Sequence, residues 1–175
     1  MKKGGIGGNS TLSGQVFEKK TDLYKLFKGI KEYVKTTKDK IRFNGKDIAL
    51  FLRKGKLYKF LKLKGIDESK IISKKLLPDE CIYNIKTNTL YIVEKKYQST
   101  SGSVDEKPQT CVFKLWEYTK LANALNCKVK FCYLFNDWFK KDEYRDMLQF
   151  IKENNCEYFF NELPLTWFEL QEGEE

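Results

Sequence analysis

Pro78-Asp79, then fourteen residues, then Glu94-Lys95-Lys96 put two carboxylates and an amine at a spacing that one β-hairpin can close. Two carboxylates suit a hard cation such as Mg2+, with Mn2+ as a substitute. Such an ion takes oxygen ligands, neutralises a phosphate and lowers the pKa of a bound water. A neighbouring lysine can orient that water or stabilise negative charge on the attacked phosphorus. This chemistry is metal-assisted phosphodiester hydrolysis, and it works without histidine. The chain has none, which removes Ser-His-Asp hydrolases, His-based nucleases and His-ligated zinc or iron. The five cysteines include no CxxC pair, so they read as reduced core residues rather than a zinc site.

The elements around this trio decide whether it converges. Residues 81–85 and 89–93 are β-rich runs flanking Lys86-Thr87-Asn88, a hairpin pattern. A two-residue turn at Thr87-Asn88 pairs Lys96 with Asp79 and Glu94 with Cys81. Asp79, Glu94 and Lys96 then emerge on one face, with directly opposed Cβ atoms about 4.5–5.5 Å apart. A four-residue loop keeps all three on that face. A three-residue loop sends Asp79 to the other.

Upstream, Gly4-Gly5-Ile6-Gly7-Gly8 lacks the preceding strand and the spacing of a dinucleotide fingerprint, and residues 1–13 read as a flexible glycine-rich lead-in. From 14 to about 34, Val16, Leu23, Phe27, Ile30 and Val34 share one side of a helix, with Glu18 roughly opposite. Residues 36–75 are basic and mixed: 41–43 and 48–52 read as short strands beside the turn Asn44-Gly45, and 57–63 as strand or helix. After the hairpin come a polar loop at 99–103, a helix over about 108–125, a strand at 128–135, a helix over about 140–154 and a strand at 157–160. Ser103 and Glu106 have capping-box spacing, although Asp105 or Pro108 can equally mark the helix start. Trp116, Trp138 and Trp167 read as core residues. The order describes an α/β protein, a mixed β-sheet flanked by helices on both faces, in one domain over 14–170 with an acidic, disordered tail at 171–175.

Charge is divided unevenly. The net charge is +9, but residues 1–75 carry 21 Lys and Arg against 7 Asp and Glu, and residues 76–175 carry 12 against 17. The basic half, with aromatics interleaved as in Lys56-Leu57-Tyr58-Lys59-Phe60, suits phosphate-backbone binding through counterion release. A solvated lysine face is the plainer reading. No apolar run is long enough to span a membrane, and Met1-Lys2-Lys3-Gly4-Gly5 has no apolar signal region behind it, so the expectation is a cytoplasmic protein without membrane attachment.

Pro78-Asp79 followed by Glu94-Lys95-Lys96, with Asp79 opening a strand and Glu94-x-Lys96 ending the next, resembles the PD-(D/E)XK signature of restriction-endonuclease-like nucleases. The stretch Val93-Glu94-Lys95-Lys96-Tyr97-Gln98, with Gly102-Ser103-Val104-Asp105-Glu106-Lys107-Pro108-Gln109-Thr110, is similar to small type II restriction endonucleases, and the resemblance covers about residues 4–164. It implies a restriction-endonuclease-like core in which Asp79 and Glu94 hold Mg2+. It also implies that Glu18, in Phe17-Glu18-Lys19-Lys20, joins the metal site from the first core helix; an ordinary exposed helix glutamate is the alternative. Gln98, Ser103, Lys107 and Gln109 are candidate DNA contacts, set against a polar strand end for the first and a helix cap for the loop. The expected partners are double-stranded DNA, a second copy of the chain, and a methyltransferase acting on the same DNA site. A repair or junction-resolving nuclease of the same fold and a non-catalytic basic nucleic-acid-binding module are the competing readings.

Overall fold

Leu90 to Val93 and Phe131 to Phe135 are apolar on both strand faces, a pattern that only strands covered on both sides of a sheet can bury. The computed structural model describes residues 6–28, 33–35, 39–101 and 106–170 and places these two strands side by side. Seven strands lie in the sheet in chain order: β1 Tyr33–Lys35, β2 Lys40–Phe43, β3 Lys46–Phe51, β4 Glu80–Asn84, β5 Thr89–Lys96, β6 Lys128–Phe135 and β7 Glu157–Phe160. β1 to β5 are antiparallel neighbours. β5, β6 and β7 run parallel. The parallel crossovers are carried by α4 Cys111–Ala124 and α5 Arg145–Glu153.

Both faces are covered. α3 Lys56–Leu63, α4 and α5 pack Leu57, Leu61, Tyr118, Leu121 and Ile151 against Cys81, Leu90, Ile92 and Tyr133 on one side. On the other, Phe17 of α1 Ile6–Lys20 and Leu23 and Phe27 of α2 Leu23–Lys28, with Phe168 near the C-terminus, cover Ile82, Tyr91, Val93 and Leu134. The expected mixed sheet with helices on both faces is what forms.

Local chemistry sets the turns. Asn44 (φ 47°) and Gly45 (φ 78°) take the left-handed conformations that a tight β2–β3 hairpin demands. Asn126 (φ 54°) and Asn155 (φ 57°) end α4 and α5 in the same conformation.

Several expectations shift. α1 begins at Ile6, inside the segment read as a flexible lead-in. It stops at Thr21, whose hydroxyl donates to the Phe17 carbonyl at 2.7 Å, because the Asp22 carboxylate accepts from the Tyr24 amide at 2.8 Å and starts a new helix. Residues 33–35 form β1, not the end of a helix. The break changes the helical phase: Phe17 is buried and Val16 is 50% exposed. Residues 57–63 are helical. Trp116, read as core, is 55% exposed on α4 beside Phe113, with the Lys120 ammonium 4.3 Å from its ring centre. Ile30, Ser103 and the acidic tail lie outside the described residues.

The β4–β5 hairpin closes differently from the expected two-residue turn. Asn84 pairs with Thr89 across a four-residue loop, residues 85–88. The Asn84 side-chain oxygen accepts from the amides of Lys86 and Thr87 at 2.9 and 3.1 Å, and Asn88 (φ 51°) completes the loop. The register moves by two residues. Glu80 pairs with Val93 and Cys81 with Ile92, so one step further Asp79 stands against Glu94 instead of Lys96. An even shift preserves the faces.

Candidate active site

Side chains alternate along β5, so Ile92, Glu94 and Lys96 face α4, and Val93 and Lys95 face α1. Asp79 precedes β4 on the same face as Cys81, and its carboxylate accepts the Lys95 amide at 2.8 Å. That bond continues the ladder past its last strand pair and pins the carboxylate beside the end of β5. Asp79, Glu94 and Lys96 are brought together as the hairpin argument requires.

Glu94 Oε2 accepts from two ammonium groups: Lys96 at 3.0 Å and Lys114, from α4, at 2.7 Å. Lys96 also donates to the Lys95 carbonyl at 3.1 Å. The ring of Tyr133 lies beneath both amines, 5.8 Å from Lys96 Nζ and 5.9 Å from Lys114 Nζ. Burial pushes the Asp79 carboxyl above the usual aspartate range; the Lys96 charge pulls it down and the Glu94 charge pushes it up. The Tyr118 hydroxyl, one turn beyond Lys114, is buried and has no hydrogen-bond partner among the described residues. Burial raises its pKa far above the ordinary phenol, helped by Glu94 and Asp79.

Lys114 went unread in the sequence, although a signal was there. Cys111, Lys114, Tyr118 and Leu121 fall on one side of α4 at i, i+3, i+7 and i+10, and a lysine within a buried helical stripe needs a counter-charge.

The opposite face of the hairpin carries a second pair. Lys95 Nζ is 2.8 Å from Glu80 Oε1 and 3.4 Å from the Glu18 carbonyl. Above it a cleft of about 220 Å³ is lined by Gln15, Glu18, Lys19, Asp22, Arg53, Lys54, Asp79, Glu80 and Lys95. Glu18 is therefore exposed on the α1 side of the sheet. It shares that cleft with Asp79 of the trio and is one of the charges that raise the Asp79 pKa.

Cation binding can be tested on the donor set. Among the described residues no three His, Cys, Asp or Glu side chains are grouped to hold a metal, so an ion here would take Asp79, Glu94, a carbonyl and water. The Lys96 ammonium already stands in for such an ion, held by one carboxylate oxygen and the Lys95 carbonyl. All these donors are oxygens, which fits a hard divalent cation.

A family model described as a PD-(D/E)XK nuclease superfamily domain matches residues 11–110, more than half of the chain. The chain belongs to the PD-(D/E)XK nuclease superfamily. No curated protein and no solved structure matches it. The matched span contains Glu18, Asp79, Glu94 and Lys96 and ends just before α4. Superfamily membership implies a nucleic-acid substrate, and these nucleases generally use divalent metal ions. No helix among the described residues is long and apolar enough to cross a membrane.

The remaining candidates fall around this cluster. Gln98 is buried, with its backbone clasped by Asn136: the Gln98 amide donates to Asn136 Oδ1 at 3.1 Å and Asn136 Nδ2 donates to the Gln98 carbonyl at 2.8 Å. That clasp joins β5 and β6 past their ends. Lys107 and Gln109 are exposed on the 3-10 turn Lys107–Thr110, and the Tyr133 hydroxyl donates to the Lys107 carbonyl at 3.4 Å. The ring beneath the Lys96 and Lys114 amines thus ties this turn to the cluster.

Proposed function

We propose that the protein is a Mg2+-dependent endonuclease of double-stranded DNA, cutting at a specific sequence in the manner of a type II restriction enzyme. The observation that carries the nuclease chemistry is the cation seat at the end of β5, where Glu94, the Lys95 carbonyl and Asp79 converge. Asp79 and Glu94 would hold Mg2+, with Mn2+ as a substitute; the bound ion supplies an electrophile for the phosphate and lowers the pKa of a water.

In this reading Lys96 orients the attacking water and faces the charge that grows on phosphorus. The water oxygen bonds to phosphorus and the water gives up its proton to bulk solvent, since the Lys96 ammonium, already a donor to Glu94, cannot take it. The bridging P–O bond breaks with its electron pair on the alcohol oxygen, which gains a proton. Asp79 and Glu94 stay fixed through the backbone amide of Lys95 and the Lys96 ammonium. Glu18 sits across the cleft from Asp79 as an outer acidic group. Lys19, Arg53 and Lys54, from the basic half, rim the same cleft and supply phosphate contacts; Lys107 and Gln109 offer donors from the other side.

Sequence specificity and assembly rest on the resemblance to small restriction enzymes. One site hydrolyses one strand, so a matched double-strand cut calls for two copies related by two-fold symmetry, and protection of host DNA calls for a methyltransferase of the same specificity. Digestion of unmethylated plasmid and phage DNA with Mg2+, against an EDTA control, tests the cleavage, its specificity and its metal dependence. Discrete Mg2+-dependent bands support the reading. Cleavage confined to branched or damaged DNA makes the protein a repair nuclease, and metal-independent binding with no cleavage overturns the enzyme.

A further inference from the structure

Lys114 is closer to Glu94 than the lysine of the motif itself, 2.7 Å against 3.0 Å, and both ammonium groups share the single oxygen Oε2. One ammonium suffices to neutralise Glu94. A second, delivered from a different element, requires another long side chain to be ordered and leaves two like charges over one tyrosine ring. Charge counting gives the pair a purpose. Asp79 and Glu94 together with Lys96 and Lys114 sum to zero, so the cluster with one divalent cation is doubly positive. That matches the double negative charge of the pentacovalent phosphorane formed once the attacking water has lost its proton. With one lysine the cluster reaches only a single positive charge.

We propose that Lys114 is a second catalytic lysine, which binds the non-bridging oxygens of the scissile phosphate and, before substrate arrives, occupies Glu94 in competition with the divalent cation. This rests on the nuclease reading and extends it to α4, beyond residue 110 where the family match ends. The helix stripe that holds Cys111, Tyr118 and Leu121 in the core fixes the lysine backbone while its side chain remains 19% exposed, enough to exchange one anionic partner for another. An ammonium group released from Glu94 has the phosphate as its next partner. Its stabilisation grows as charge develops on phosphorus, which assigns its effect to rate.

Two readouts pull in opposite directions for this role and not for a structural one. In Lys114→Gln, Mn2+ titrated calorimetrically into DNA-free protein should bind at least about threefold tighter, because a competing positive charge has gone. Single-turnover cleavage of duplex DNA at saturating Mg2+ should slow by about a hundredfold or more, and Lys114→Arg should recover part of that rate. Mn2+ affinity that is unchanged or weaker, or a rate within threefold of wild type, overturns the proposal. If Lys114→Gln fails to fold, Lys114→Met decides on the same two readouts: tighter Mn2+ binding with a rate reduced at least about tenfold supports it, and an unchanged Mn2+ affinity or an unreduced rate sinks it. Lys96→Ala run in parallel separates the two failures. An inactive Lys96 variant beside a fully active Lys114 variant leaves the nuclease reading standing and removes only this one, whereas a wild-type protein that cleaves nothing removes both.

Discussion

Lys95 and Lys96 are adjacent at the end of β5. The first lies 2.8 Å from Glu80, with 4% and 3% of the two side chains exposed, and the second lies 3.0 Å from Glu94, with 13% and 9% exposed. Alternation along the strand sends them to opposite faces. Beneath α1 the Glu80–Lys95 pair is sealed, and Glu80 keeps a buried oxygen, Oε2, without a partner among the described residues. Burial raises the Glu80 pKa despite the lysine beside it. On the α4 face the partners are interchangeable: Glu94 has two amines, and Lys96 has a carboxylate and a carbonyl. Residue types are the same in the two pairs. What separates a fixing contact from a reactive one is exposure and a competing charge: Glu94 is shared by two partly open amines, whereas the Lys95 amine, though it also reaches the Glu18 carbonyl, is nearly closed to solvent.

The comparison breaks most sharply on metal removal. EDTA should abolish DNA cleavage and leave the melting temperature nearly unchanged, because the open face exchanges one cation for another while the sealed face holds the hairpin. Cleavage that persists through thorough chelation sinks the metal-dependent mechanism. Next in size is Lys96→Ala. It should slow single-turnover cleavage at least about a thousandfold, roughly 4 kcal/mol of barrier, with folding and DNA affinity in Ca2+ nearly intact. A Lys96→Ala protein with near-normal cleavage makes the open pair as structural as the sealed one.

Lys95→Ala should do the reverse. Removing one partner of a buried pair costs about 3 kcal/mol, roughly 6–12 °C of melting temperature for a chain of this size. Cleavage measured well below melting should stay within about tenfold of wild type, since the Lys95 amide and carbonyl, not its amine, touch the site. A thermal melt alongside the cleavage assay checks both halves, and a stable but inactive Lys95→Ala protein reverses the assignment of faces.

How far the sequence revealed this arrangement depends on the distance over which each feature is decided. β6 and β7 have the ends expected, 128–135 and 157–160, because continuous apolar strands and their flanking Asn turns are local. The trio shares a face as expected because an even register shift leaves alternation intact. The register itself was missed: the side chain of Asn84 caps the loop, and the alternative two-residue turn has equally good local chemistry. The helix over 14–34 was misread for a similar reason, since the Asp22 cap competes with a continuous apolar period. Lys114 lies beyond the motif and the candidate contacts, which end at Gln109, although a lysine inside the buried stripe of α4 points back to the site. The burial of Lys95 was invisible, for nothing in Glu94-Lys95-Lys96 distinguishes the two amines until α1 covers one of them.

The smallest effect should come from replacing the sealed pair as a whole. A buried ion pair pays heavily in desolvation, and well-packed apolar residues of similar size are often as good or better. Glu80 shows that strain directly, with an unpartnered oxygen and a raised pKa. The double variant Glu80→Leu, Lys95→Met should therefore melt within about 1 kcal/mol of wild type, although each single change is costly. It should also retain cleavage, because neither side chain contacts Asp79, Glu94 or Lys96 in any hydrogen bond among the described residues. The matching exchange on the open face, Glu94→Leu with Lys96→Met, should fold and be inert. Thermal melts and single-turnover rates on the two double variants set the faces side by side. If the Glu80 and Lys95 exchange also silences cleavage, the sealed pair itself takes part in the chemistry and the division of labour along β5 is wrong.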